Sequence, residues 1–337
     1  MQTTYKPLAV IVSSAALLGV AAFGMLTIGT AQIPVETTLA VVLHNALGLG
    51  GSDITSADQT IIWHIRWQRV ALAMIVGSGL AVAGACFQTM FRNPLADPYV
   101  LGVSSGAALG AALSMVMNRT ELMIPLAFGG AMTSLAVVWC FGYRDMGSGT
   151  GQHLLLAGIA CGALFNAVLS ATMALHSQMI QMIVFWLMGS LSGYPGSLLP
   201  VLIIVLAGLA VALAYARDLD VMALGDDEAR FLGVEVNKVK LYLLVSATLM
   251  TGSCVAVSGT IGFIGLIVPH LVRKLTGPQH LLILPLSAIF GALFLLVADG
   301  TIRFFPVLSA IPVGVVTAMF GSPFFLYVLY SAGRRTL

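Results

Sequence analysis

Residues 217–240 read RDLDVMALGDDEARFLGVEVNKVK, and this stretch decides how the apolar sequence on either side of it can fold. Arg217, Asp218, Asp220, Asp226, Asp227, Glu228, Arg230, Glu235, Lys238 and Lys240 crowd into it, in a chain with only 15 Lys and Arg and 13 Asp and Glu. Charge at that density cannot sit in hydrocarbon, so the window must lie in water between two apolar runs. Inside it, Gly-Asp-Asp-Glu-Ala-Arg at 225–230 reads as a helix start, because carboxylates favour the positive N-terminal end of a helix. A short polar helix between two spans can be a docking surface, or a solvated loop that only keeps the topology.

Outward from this window the chain is apolar. Hydrophobic residues make up 59% of the 337 and charged ones 8%, with a mean hydropathy of +1.00. A globular domain is about one quarter charged, so the expected class is all-α, a polytopic membrane protein. The net charge of +2 comes from scattered basic residues and leaves no nucleic-acid footprint. Cys86, Cys140, Cys161 and Cys254 lie in apolar runs without CxxC spacing, which predicts buried free thiols. The apolar run 8–28 is too long for a signal-peptide core and matches the roughly 20 residues that cross a bilayer, so it reads as a retained first span.

Ten runs are expected to span as helices, near 8–30, 69–90, 101–117, 122–141, 152–173, 197–216, 240–258, 261–276, 281–299 and 313–331. Helices satisfy their own backbone in lipid, and an even number puts both termini on one side. With cytoplasmic termini, Lys6, Arg92, Arg144, Arg217, Arg230, Lys238, Lys240, Arg273, Lys274, Arg334 and Arg335 fall inside, and Arg66, Arg69, Arg119 and Arg303 outside. That asymmetry follows the positive-inside rule. Residues 1–337 then form a single transmembrane domain, with 217–240 cytoplasmic and two extracytoplasmic segments, 32–68 and 176–195. The first, with Gly48, Gly50, Gly51, Ser52, Asp53 and Asp58, reads as polar and flexible. The second is half apolar, with Trp186 and Tyr194, and reads as a short helix along the outer mouth.

No GxxxxGK[ST] pattern occurs, so the chain has no P-loop of its own, and energy must come from another chain or an ion gradient. His44, His64, His153, His176, His270 and His280 show no HxxxH or HxxE spacing, and no dedicated metal site is expected. On the fifth span Gln152, Asn166 and Ser170, followed by His176, Ser177, Gln178 and Gln181, offer a sparse uncharged lining for a translocation path; each could instead be helix-packing glue. Asp299 is the one acid near a span interior and sits at its end, which counts against an ion-coupled secondary transporter.

Four runs carry a resemblance: FRNPLADPYVLGVSSGAALGA at 91–111, MALGDDEARFLGV at 222–234, SGTIGFIGLIVPHLVRKLTGPQH at 258–280 and IPVGVVTAMFGSPFFLYVL at 311–329. In order and spacing they resemble the permease subunits of type II ABC importers, a family that takes up vitamin B12, ferric siderophores, haem and, in some members, molybdate or tungstate. The resemblance implies a homodimer of ten-helix subunits with the path at their interface, two cytoplasmic ATP-binding cassette subunits and an extracytoplasmic substrate-binding protein. It also implies a bacterial or archaeal cytoplasmic (inner) membrane, no cofactor bound directly, and ATP and Mg held by the partner ATPase. Uptake of a metal chelate is the implied function, with an oxyanion as the alternative.

The resemblance also implies residue roles. Leu224, Gly225, Asp226, Asp227, Glu228, Ala229, Arg230, Leu232 and Gly233 would form the coupling helix that fits a groove on the ATPase. Gly225 and Gly233 would permit the turns, Ala229 a close approach, and the acids the orientation. Arg66, Arg69 and Arg303 match positions where family members offer arginines to carboxylates of the binding protein, using the planar fork of the guanidinium. Snorkelling, and for Arg303 an i,i+4 pair with Asp299, are the alternatives. Asn93, Pro94 and Leu95 resemble the family's inner gate, in a loop stiffened by Pro94 and Pro98. Its partner gate maps to Gly151 and Gln152, where the small hydroxyl pair of the vitamin B12 permease is missing.

Overall fold

Every one of the ten apolar runs is helical in the computed structural model, which describes residues 5–49, 54–142, 150–193, 196–308 and 310–333. In chain order the helices are α1 (Tyr5–Thr27), α2 (Val35–Leu47), α3 (Ser56–Gln59), α4 (Trp67–Met90), α5 (Val103–Val116), α6 (Met123–Gly142), α7 (Thr150–Leu175) and α8 (Ile180–Leu187). They continue as α9 (Leu199–Ala214), α10 (Ala216–Met222), α11 (Asp226–Phe231), α12 (Val236–Ser258), α13 (Ile264–Thr276), α14 (His280–Phe304) and α15 (Val313–Gly333). A π segment, Thr60–Arg66, joins α3 to α4, and a 3-10 turn, Pro98–Leu101, leads into α5. No strand occurs among the described residues.

Among the described residues, six helical runs are long and apolar enough to cross a membrane, and a seventh is if α9 and α10, bent by 58°, count as one. The expected spans at 101–117 and 261–276 are shorter as helices than as apolar sequence. At 1.5 Å per residue, the 14 residues of α5 and 13 of α13 reach about 20 Å, short of a hydrocarbon core of about 30 Å. The cause is local. Gly102 adopts φ +71 at the start of α5, and Gly259 and Phe263, at φ +67 and +71, break the chain before α13.

The core is built around α4, which is buried almost throughout from Val70 to Met90 and packs against α14, α12, α13 and α9. Small residues let these helices approach without the hydrophobic drive that water supplies to a soluble core. Gly84 shows how closely: a Cβ there would fall 1.9 Å from the carbonyl oxygen of Gly265 on α13.

Two expectations need correction. Segment 32–68 is not a flexible loop: α2, α3 and the π segment fill most of it, with Thr55 Oγ1 accepting the Asp58 N–H at 3.1 Å to start α3, and residues 50–53 lie outside the described residues. Cys86, Cys161 and Cys254 are buried free thiols, but Cys140 is exposed, because α6 keeps only one side against the bundle.

Candidate functional site

At one end the charged window folds into two short helices. Tyr215 breaks the run of α9, α10 turns away, and the chain reverses at Gly225 (φ +156) before α11 and again at Gly233 (φ +88) after it. Those backbone angles favour glycine, as the sequence led one to expect. The acids Asp226, Asp227 and Glu228 occupy the first turn of α11, where the helix dipole favours them. Asp226 forms an ion pair with Lys240 of α12, and both side chains are largely buried. On the surface Arg230 pairs with Asp227 at 3.2 Å and Lys238 with Glu235 at 2.5 Å.

Around these charges stand exposed apolar side chains: Leu224 at 70%, Phe231 at 91% and Leu232 at 66%. Phe231 was not among the residues the sequence singled out. Its signal was there, as a Phe-Leu pair interrupting a run of charges in a segment that must face water. Ala229, by contrast, is fully buried in the chain's own core, so its small size serves the packing of α11 onto the bundle.

The loop after α4 is built with side-chain turns. Asn93 Oδ1 accepts the N–H of Leu95 at 2.9 Å, and Asp97 Oδ1 accepts that of Tyr99 at 2.8 Å. Tyr99 Oη donates to the Ile261 carbonyl at 2.8 Å, which ties this loop to the break before α13. Asn93, Pro94 and Leu95 are exposed, and Pro94 and Leu95 share a crevice with Leu266, Ile267, His270, Phe324 and Phe325. Gly151 and Gln152 fall in the first turn of α7, and their side chains lie outside the described residues.

Burial pushes the Asp97 carboxyl up to about 6. A raised carboxyl favours the protonated folded state, so its cost is present above pH ~6 and fades as pH falls through that value. Asp97→Asn keeps the acceptor for Tyr99 and removes the charge. Thermal unfolding of the purified chain should show it more stable by about 1 kcal/mol at pH 8, with little difference near pH 4.

At the other end, two arginines gather on one carboxylate, with a third beside them. Asp299 of α14 is fully buried; Arg69 Nη2 lies 2.7 Å from Oδ1 and Arg303 Nε 3.0 Å from Oδ2. Arg303 Nη1 also donates to the carbonyls of Met25 and Ile28, at 2.9 and 3.2 Å. Arg66 Nη1 donates to those of Leu26 and Thr27, at 2.8 and 3.1 Å, and Nη2 bonds the Ala31 carbonyl. The last carbonyls of α1 lack helical partners, and these two arginines satisfy them.

The three guanidinium groups, expected at the outer surface, are thus turned inward. Arg66 is 4% exposed, and the side chains of Arg69 and Arg303 are 23% and 8% exposed. The i,i+4 pair of Arg303 with Asp299 is formed. A cavity of about 300 Å³ lies beside them, lined by Gly29, Ala31, Arg66, Arg69 and Arg303, and Arg303 Nη2 is buried there without a hydrogen-bond partner.

The proposed path residues lie on α7 and in the turn that follows it. Asn166 and Ser170 lie one turn apart on α7 and are exposed, beside exposed Leu156, Ile159 and Leu164. His176 Nδ1 sits 3.1 Å from the Thr172 carbonyl, and Gln178 is exposed in the 3-10 turn before α8.

Comparison with known proteins adds to this geometry. The sequence pattern of the FecCD transport family matches residues 17–331. The chain is similar to the cobalamin import system permease protein BtuC of Halobacterium salinarum, 40% identical over 84% of this chain and 77% of that protein. It is similar to the hemin transport system permease protein HmuU of Yersinia pestis, 41% identical over 80% and 84%. It is also similar to the Fe(3+) dicitrate transport system permease protein FecD of Escherichia coli, 38% identical over 80% and 85%. Among solved structures, an ABC transporter assigned to the metal-chelate type, in an inward-facing conformation, superposes with a TM-score of 0.82 at 28% identity, covering 96% of this chain and 99% of that one.

Proposed function

This chain belongs to the FecCD transport family, and from that premise we propose that it is the membrane-spanning permease subunit of an ATP-driven importer for a metal chelate such as a ferric siderophore, haem or cobalamin. The observation that carries this reading is α11 and its flanks, with exposed Leu224, Phe231 and Leu232, anchored to the bundle through Asp226 and Lys240. An apolar cluster ringed by charge on a membrane protein's aqueous end is a surface made for a protein partner. Here the partner is the ATP-binding cassette subunit, one for each copy of a homodimer, and ATP and Mg are held there.

In this account the chain crosses the inner membrane ten times as one domain, with both termini and the 217–240 window cytoplasmic. The exposed face of α7, with Asn166 and Ser170, meets the second copy and lines the path with it. The arginine cluster lies at the extracytoplasmic end, where a binding protein delivers the substrate. Arg69 is the most exposed of the three and is the one best placed to meet a carboxylate of that protein. Asn93, Pro94 and Leu95 with the start of α7 close the cytoplasmic end. ATP-driven closure of the partners moves α11, the two copies rock, and access alternates.

Replacing Phe231 and Leu232 by alanine together should lower ATP-driven uptake at least about tenfold, since truncating a central apolar anchor costs about 2 kcal/mol or more. Both side chains face solvent, so thermal unfolding of the isolated chain should be unchanged. Uptake into proteoliposomes and co-purification of the ATPase with the permease read the effect. Uptake at the wild-type rate would remove α11 as the docking element. A permease for an oxyanion shares these motifs, and offering molybdate beside the chelates separates the two.

A further inference from the structure

His280, the first residue of α14, is 1% exposed and is held on both sides of its ring. Nδ1 lies 2.6 Å from Asp220 Oδ1, and the same oxygen accepts the His280 backbone N–H at 2.8 Å. Nε2 lies 2.7 Å from Thr89 Oγ1, whose own hydroxyl bonds the Ala85 carbonyl at 3.1 Å. Beside Thr89, Gln88 donates to the carbonyls of Gly265 and Leu266 at 3.1 and 3.0 Å and accepts from Arg273 Nη1 at 3.0 Å.

One imidazole therefore bridges two parts of the fold. Asp220 belongs to α10, which precedes α11 by three residues. Thr89 belongs to the last turn of α4, which runs directly into Asn93, Pro94 and Leu95, and Asn93 N–H bonds the Gln88 carbonyl at 3.0 Å. A capping role for Asp220 at the start of α14 accounts for the backbone bond. It does not account for a buried imidazole pinned between that carboxylate and a hydroxyl on another helix. Buried polar groups that are fully bonded fix one relative placement of the elements that carry them.

We propose that Asp220, His280 and Thr89 are positioning residues, a polar link that makes the α10–α11 unit and the gate loop after α4 move as one body. The link rests on the reading of this chain as an ATP-driven permease. Its role is to keep gate movement in step with the ATPase, so losing it wastes hydrolysis without stopping it.

The test is the number of ATP molecules hydrolysed per molecule imported, measured in proteoliposomes with the ATPase and the binding protein, with labelled haem, cobalamin and a ferric hydroxamate offered separately. Thr89→Val, which keeps the shape and removes the hydroxyl, and Asp220→Ala should each raise that ratio about tenfold, the scale of a coupling energy between sites. Thr89→Ser and Asp220→Asn, which keep Oγ1 and Oδ1, should leave it within about twofold of wild type. If Thr89→Val lowers uptake and hydrolysis in proportion, or if Asp220→Asn raises the ratio as Asp220→Ala does, the link is overturned. Thr89→Val decides the matter alone should Asp220→Ala fail to assemble. Absence of ATP-driven uptake by the wild type would instead defeat the permease reading.

Discussion

Asp299→Ala is expected to destabilise the folded chain by about 3–5 kcal/mol, the cost of leaving a buried ion cluster without its counter-charge. Asp299 is fully buried, and both of its oxygens are engaged, by Arg69 Nε at 2.8 and 3.1 Å and by the Arg303 ion pair. Removing it leaves two guanidinium groups facing each other with no carboxylate among the described residues to replace it. Arg303 also holds the end of α1, so α1 should loosen first. Asp299→Asn keeps the shape but not the charge, and should lose nearly as much. Adding Arg69→Met to Asp299→Ala should recover part of the loss, because it removes one unpaired charge. Thermal unfolding of the purified permease reads all three. A loss below about 1 kcal/mol for Asp299→Ala would mean that the cluster contributes no more than a surface ion pair.

Gly84→Val should be at least as damaging. Its Cβ would stand 1.9 Å from the Gly265 carbonyl oxygen and 2.5 Å from the Gly265 carbonyl carbon and Cα, all backbone atoms that no rotamer change can move. To admit it, α4 and α13 must separate by more than an ångström, and Gln88 then loses its bonds to the Gly265 and Leu266 carbonyls. Overpacking of this kind costs about 3 kcal/mol or more, and poor folded yield is the expected result. Gly129→Ala is the control: a Cβ there meets nothing within 4 Å, and the change should be neutral. If both variants unfold at the wild-type temperature, α4 and α13 are not packed as described.

The helices were legible in the sequence because lipid leaves one economical way to satisfy an apolar backbone, and each of the ten runs is helical. The turns at Gly225 and Gly233 were legible for the same local reason, since glycine between a charged run and an apolar one marks a reversal. What escaped was set by distant partners. The pair of Arg69 with Asp299 joins positions 230 residues apart, so nothing near Arg69 foretold that it points inward. Arg66 looked like an outward charge because the α1 carbonyls it satisfies come into view only when α1 packs beside α4. The shortness of α5 and α13 depended on positive φ angles at Gly102 and Phe263 within sequence that is apolar throughout. Phe231 was legible only as an apolar residue after a run of charges in a segment that must face water. The link through His280 could not be read at all: a lone histidine after Pro-Gln gives no sign of Asp220 or Thr89.

The most direct test of the permease account is uptake into proteoliposomes that contain this chain, its ATPase and its binding protein, with labelled ferric siderophore, haem, cobalamin and molybdate offered in parallel. The account predicts accumulation of one metal chelate, only with ATP on the ATPase side and only with the binding protein present. Accumulation that ignored ATP and followed an imposed ion gradient would contradict it.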